Sequence, residues 1–199
     1  RYSNQKNYAN SLAKLNTILS IDADEVLSDK LKDCIYNWKQ NNYNLESINT
    51  VFSVNRLTNY CGKWIKHCGW YPDNKIRLFP KNIKWEGDIH ETLKLPPNTK
   101  IIKLKGDLLH YTVYQTIDHL KQVDKFTTIA SQELFNKGKK VTFFDISCRS
   151  KWRFFRDYFL KLGFLDGYEG YQICKISSFA TFLKYAKLKE LRKTNKNER

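Results

Sequence analysis

Thr17-Ile18-Leu19-Ser20-Ile21-Asp22-Ala23-Asp24-Glu25 is the stretch on which the reading of this chain turns. Ile18, Leu19 and Ile21 form a short apolar run bounded by polar residues, which suits a buried strand over residues 17–21. A chain leaving such a strand in extended form places residues i and i+2 on one side. Asp22 and Asp24 are then expected to point together beyond the strand's carboxyl end, where open α/β sheets keep their ligands. Two hard oxygen donors there suit Mg²⁺ or Mn²⁺ holding a phosphate-bearing substrate. The same residues also fit an acidic loop opening a helix, because Ser28 and Asp29 precede Leu31, Cys34, Ile35 and Trp38 at helical spacing. Spacing alone leaves both readings standing.

Outward from that stretch, residues 5–15 read as a helix with Ala9, Leu12 and Ala13 on one face. Residues 47–57, 75–79 and 100–104 read as strands, and 62–72, rich in Gly and Trp, as a loop. Helical spacing returns over 116–137, closed by Gly138, then over 147–162 and 177–191 around a glycine-rich turn. Helix–strand alternation followed by helices predicts an α/β domain over 1–136, a helical basic and aromatic extension over 137–190, and a disordered tail over 191–199.

The 199 residues carry a net charge of +15, of which residues 1–136 hold +5 and residues 137–199 hold +10. Such a carboxyl-terminal excess calls for an anionic partner: a membrane surface, a phosphorylated glycolipid or nucleic acid. Trp152, Phe154, Phe155, Tyr158, Phe159 and Leu160 are interleaved with Lys151, Arg153, Arg156 and Lys161, a mixture suited to lipid headgroups or to a helix packed with a solvated basic face. No recognisable RNA- or DNA-binding motif accompanies the charge, which makes a nucleic-acid module the weaker reading. A glycosidase needs carboxylates flanking one bond, and Asp22 and Asp24 stand too close in sequence for that. The apolar runs fall far short of the ~18 to 20 residues that cross a bilayer. Five cysteines without a repeated spacing suit reduced thiols better than a disulfide framework.

Further pieces stand in order along the chain: Gln5-Lys6-Asn7-Tyr8-Ala9, Gly69-Trp70-Tyr71-Pro72-Asp73, Arg77-Leu78-Phe79, Trp85-Glu86-Gly87-Asp88-Ile89-His90-Glu91, His110-Tyr111 and Gly163-Phe164-Leu165-Asp166-Gly167. Together with Asp22-Ala23-Asp24-Glu25 they resemble the inverting family-2 glycosyltransferases of the GT-A, Rossmann-like fold. Within these the likeness is to the branch that adds glucose to the lipopolysaccharide inner core.

The resemblance implies a UDP-sugar donor, a lipid-linked glycan acceptor, Mn²⁺ or Mg²⁺, and a cytoplasmic enzyme peripheral on the inner face of the cytoplasmic membrane. Asp24 is the implied metal ligand, Asp22 faces the ribose or a metal-bound water, and His110 completes the metal site unless it is a core histidine. Glu91, with Asp88 as competitor, is the implied base that takes the acceptor's proton, and His90 orients that carboxylate or packs beside it. Lys6 and Arg1 are expected near the donor phosphates. Trp70, Tyr71 and Trp85 suit either sugar stacking or a core. Arg77 binds an acceptor phosphate, a carboxylate, or Asp73. Family members open with a βαβ unit that holds the uracil and ribose, so a chain starting at Arg1 is expected to be a fragment lacking part of its donor pocket.

Overall fold

The computed structural model describes residues 2–40, 50–87 and 91–197. The chain divides into two compact units, Arg1–Leu57 with Pro72–His110, and Thr58–Tyr71 with Tyr111–Arg199. The expected boundary at 136/137 is therefore replaced by a discontinuous one. Two long strands, β3 (Thr50–Tyr60) and β8 (Lys100–Val113), each carry the chain from the first unit into the second. Helix α3 (Thr116–Asn136), expected in the catalytic part, consequently belongs to the second unit.

The first unit opens with α1 (Tyr2–Ser11), β1 (Thr17–Leu19), β2 (Glu25–Leu27) and α2 (Asp29–Gln40). Beyond β3 and β4 (Lys63–Ile65) follow β5 (Asp73–Pro80), β6 (Trp85–Glu86) and β7 (Thr92–Leu93). The sheet runs β1-β5-β3-β8-β2, with β4 added beside β3. β1–β5, β5–β3, β3–β4 and β8–β2 all pair antiparallel, so the mixed α/β content is as expected while these pairings are not the parallel winding of a Rossmann sheet.

Two apolar clusters hold this unit. Leu31 of α2, with Cys34, Ile35 and Trp38 beside it, packs on Phe52, Val54, Leu78, Leu104 and Leu108. Ser28 caps the helix, its hydroxyl accepting from the Leu31 N–H at 3.4 Å. The helix comes so close to β8 that a Cβ on Gly106 (φ +104°) would stand 2.5 Å from the Leu31 nitrogen. The second cluster joins Ile18, Val51, Phe79, Ile83 and Trp85 beneath α1.

In the second unit β3 turns into β4 through Cys61 and Gly62, both at positive φ, the two-residue hairpin geometry. Part of the expected 62–72 loop is thus a strand. Helix α4 (Phe143–Phe155) runs on into a π-helical turn, Arg156–Leu160, and a 3-10 turn, Gly163–Asp166, precedes α5 (Gly167–Asn197). Thr142 caps α4 by accepting from the Asp145 N–H.

The last helix is 31 residues long and replaces both the expected turn around Gly170 and most of the expected disordered tail. It packs against α3 and α4, with Ile173, Cys174, Tyr185 and Leu188 buried along it. Gly170 serves close packing, since a Cβ there would stand 2.0 Å from the Gly163 carbonyl oxygen. Asp166 is buried and ties the segment after β4, accepting from the His67 N–H at 2.7 Å and pairing with His67 Nδ1 at 2.9 Å.

Candidate functional site

The charged cluster of the first unit is built by the exit of β1. The strand ends at Leu19, two residues earlier than expected, and the Ser20 N–H donates to the Arg77 carbonyl at 2.8 Å. The chain then turns: the Glu25 N–H donates to the Asp22 carbonyl at 3.0 Å, and the Asp22 N–H donates to Glu25 Oε2 at 2.9 Å. Because this is a turn and not an extended strand, Asp22 and Asp24 do not act as one pair of donors. They take different partners.

Asp22 sits between two cations. Its Oδ2 accepts from Arg77 Nη2 at 2.9 Å, and its Oδ1 lies 3.4 Å from Lys6 Nζ. Burial works to raise its pKa, but Arg77 and then Lys6 outweigh that and hold the carboxyl below its ordinary value. Asp24 lies 3.2 Å from His110 Nε2. The β2–β8 register makes this contact, since Glu25 stands opposite His110 and brings the preceding residue alongside the ring. Burial, reinforced by Arg56, pushes the His110 pKa down against the pull of Asp24 and Glu25. A neutral imidazole is the form that ligates metals.

Glu25, to which the motif assigns no role, is the anchor of the cluster. Its side chain is fully buried and accepts from Arg77 Nη2, with Arg56 Nη1 3.9 Å away. Arg77 is itself 5% exposed. Its expected pairing with Asp73 is corrected: Asp73 faces Arg56 across the β3–β5 register and pairs with it at 2.8 Å. Through Nη2, Arg77 bonds to both Asp22 and Glu25, which places it within the cluster as a partner of these two carboxylates.

Lys6, expected on donor phosphates, bridges carboxylates instead, lying 2.8 Å from Glu91 Oε2 and 4.7 Å over the Trp85 ring. Asn7, next to it on α1, clamps the other side. Its Nδ2 donates to the Trp85 carbonyl at 2.9 Å and its Oδ1 accepts from the Trp85 N–H at 2.8 Å. Trp85 is 8% exposed and edge-on to Phe79, which makes it a core residue and corrects its reading as a sugar platform. Trp70 and Tyr71 belong to the second unit, where Trp70 packs edge-on to Tyr60 and His119. Arg1, Asp88 and His90 lie outside the described residues.

The first unit therefore assembles Lys6, Asp22, Glu25, Arg77 and Glu91 in one ion-pair network, with Asp24 and His110 beside it. Asn7, Glu25 and Arg56 are the members that sequence reasoning missed. Asn7 and Glu25 stand inside motifs, but nothing local announces their long-range partners. Among the described residues no group of three His, Cys, Asp or Glu is gathered as a metal cage. One carboxylate and one imidazole nevertheless fit a divalent cation that takes its other positions from water and substrate phosphates.

No protein-family model matches the chain. It is similar to an uncharacterized glycosyltransferase of Rickettsia typhi, 28% identical over 179 residues, covering 84% of this chain and 60% of the relative. It is also similar to uncharacterized glycosyltransferases of Rickettsia prowazekii (26% over 180 residues, 84% and 60%) and Rickettsia felis (26% over 188 residues, 84% and 62%). The chain spans about three fifths of the length of these curated relatives.

Proposed function

We propose that this chain carries part of a metal-dependent, inverting glycosyltransferase of family 2 and GT-A type. In this reading it moves a sugar, glucose first among the candidates, from a UDP-sugar to a lipopolysaccharide-core or related glycan. The observation that carries the proposal is the Glu91 carboxylate held by Lys6 in the same ion-pair network that seats Asp22, with Asp24 and His110 adjoining. The names of the Rickettsia relatives support the general activity.

Asp24 and His110 would hold Mn²⁺ or Mg²⁺, whose chemistry there is to neutralise the diphosphate leaving group. Glu91 takes the proton from the attacking acceptor hydroxyl as that oxygen bonds to the sugar's anomeric carbon and the carbon–phosphate-oxygen bond breaks on the opposite face. Lys6 fixes the orientation of Glu91, and Arg77 with Glu25 fixes the Asp22 turn that carries Asp24.

The acceptor in this reading is lipid-linked, and the second unit offers a surface for its membrane. Trp152, Phe155, Phe159 and Leu160 are exposed on α4 and the π-helical turn beside Lys151, Arg156 and Lys161. The proposed contact is peripheral, on the cytoplasmic face. Among the described residues no helix is long and apolar enough to cross a membrane.

Calorimetry of UDP and UDP-glucose with and without Mn²⁺ tests the site. Manganese-dependent binding that is lost in Asp24→Ala, with the circular dichroism spectrum retained, is the expected result. Unchanged binding in Asp24→Ala would remove the metal assignment. Salt-sensitive binding of an oligonucleotide in place of UDP would remove the transferase reading altogether.

A further inference from the structure

Helices α3, α4 and α5 of the second unit enclose a cleft of about 310 Å³ in which no residue of the charged cluster takes part. That volume is at the lower end for small-molecule sites. Lys184 reaches it from α5 and Arg153 from α4, while Gln122 and Ser177 add an amide and a hydroxyl. One side is apolar, formed by Val123, Phe126 and Ala180. No aspartate or glutamate lines it.

The surrounding charges are unevenly matched. Arg149 pairs with Asp145 at 2.7 Å, and Arg153 donates to the buried Asp157. Lys184 has no such carboxylate among the described residues; its ammonium lies 4.7 Å over the Tyr185 ring. Burial, then Arg149 and Arg153, push this ammonium below its ordinary range. A half-buried cation facing two guanidinium groups is stabilised when an anion enters between them. His119, 7% exposed on the cleft wall and bonded to the Tyr60 hydroxyl at 3.2 Å, adds a polar ring whose pKa burial lowers to about 4, so it brings no charge at neutral pH.

We propose that this cleft binds a small phosphomonoester, with its phosphate on Lys184 and Arg153 and its apolar portion on Val123, Phe126 and Ala180. A phosphomonoester brings three terminal oxygens and up to two charges to the ammonium, the guanidinium, the Gln122 amide and the Ser177 hydroxyl, a closer match to this donor set than a carboxylate's two oxygens and single charge. The apolar wall selects against bare inorganic phosphate. This site stands whether or not the first unit transfers sugars, because it shares no residue with that cluster.

The test is calorimetric titration of the whole chain with inorganic phosphate and with hexyl phosphate. Burying part of the hexyl chain on Phe126 is expected to tighten binding by at least about tenfold over inorganic phosphate. Lys184→Gln should weaken hexyl phosphate by about tenfold or more, Lys184→Arg should retain it, and Lys189→Gln, exposed on α5, should leave it unchanged. Phe126→Ala, at an exposed position that tolerates truncation, should bring hexyl phosphate down to the affinity of inorganic phosphate. Phosphatidylcholine vesicles with and without phosphatidic acid then separate the sources. Displacement of hexyl phosphate only by the acidic vesicles assigns the phosphate to a lipid headgroup, and no displacement assigns it to a soluble ester. Absence of saturable hexyl phosphate binding, or equal binding by the wild type and Lys184→Gln, overturns the proposal.

Discussion

Replacing Arg77 by Met is the sharpest probe of the charged cluster, because a single nitrogen, Nη2, serves both Asp22 and Glu25. The Met side chain fills much of the same volume but leaves Glu25, whose side chain has no solvent exposure, without its main cation. Breaking a buried pair by removing one partner typically costs about 3–5 kcal/mol. Arg56, 3.9 Å from Glu25, offsets part of this, which places the expected loss near 3 kcal/mol. That is a large share of the roughly 5–15 kcal/mol that holds a domain together. Urea unfolding followed by far-ultraviolet circular dichroism reads it as a lower midpoint at unchanged slope. Glu25→Gln in the Arg77→Met background should recover at least about 1 kcal/mol, since the buried group is then neutral. An Arg77→Met protein within about 0.5 kcal/mol of wild type would refute the claim that this pair anchors the turn.

Other consequences follow from the same structure. His119 has a pKa near 4 in the folded protein against 6.5 unfolded, so its contribution is complete above pH 6.5 and is lost as pH falls toward 4; about 3 kcal/mol separates the ends, and His119→Gln should flatten stability across that window in urea titrations. Gly106→Ala puts a methyl into the Leu31 backbone at a positive φ and should cost more than about 2 kcal/mol, seen as a drop in thermal midpoint. Asn7→Ala removes both bonds to the Trp85 backbone, about 2 kcal/mol, and under the proposed function should lower sugar transfer more than UDP binding because Glu91 loses its registration.

The elements most legible in the sequence were those whose local pattern and tertiary setting agree. Strand β5 carries Ile76, Leu78 and Phe79 in an apolar stretch that is buried at Leu78 and Phe79, and α3 repeats Leu120, Val123 and Ile129 at helical spacing, so both stand where the pattern puts them. The Asp22–Asp24 reading depended on β1 continuing through Ile21. It stops at Leu19 because Ile21 points to solvent, 46% exposed, and only long-range pairing with β5 decides that. Trp85 and Trp70 were ambiguous for a different reason: the same ring suits a core or a sugar, and only its neighbours distinguish the two. Arg77 could not be given its partners from sequence, since they lie more than fifty positions away. The length of α5 was hidden by Gly170, which reads as a turn signal but serves close packing.

The arrangement of charge also separates the two aspartates in a way their spacing does not. Three carboxylates, Asp22, Glu25 and Glu91, converge within one half-buried region, and unpaired they would repel one another and favour protonation. Lys6 and Arg77 remove that repulsion by bridging them in pairs, and both oxygens of Asp22 are used in doing so, Oδ1 toward Lys6 and Oδ2 toward Arg77. A divalent cation binding Asp22 directly would compete with a lysine and an arginine for its two oxygens. Asp24, 45% exposed and set against a histidine, carries no such obligation. Under the proposed function the cluster thus divides its labour: Asp22 keeps the turn in place from within the network, and Asp24 at its edge faces the incoming cation together with His110.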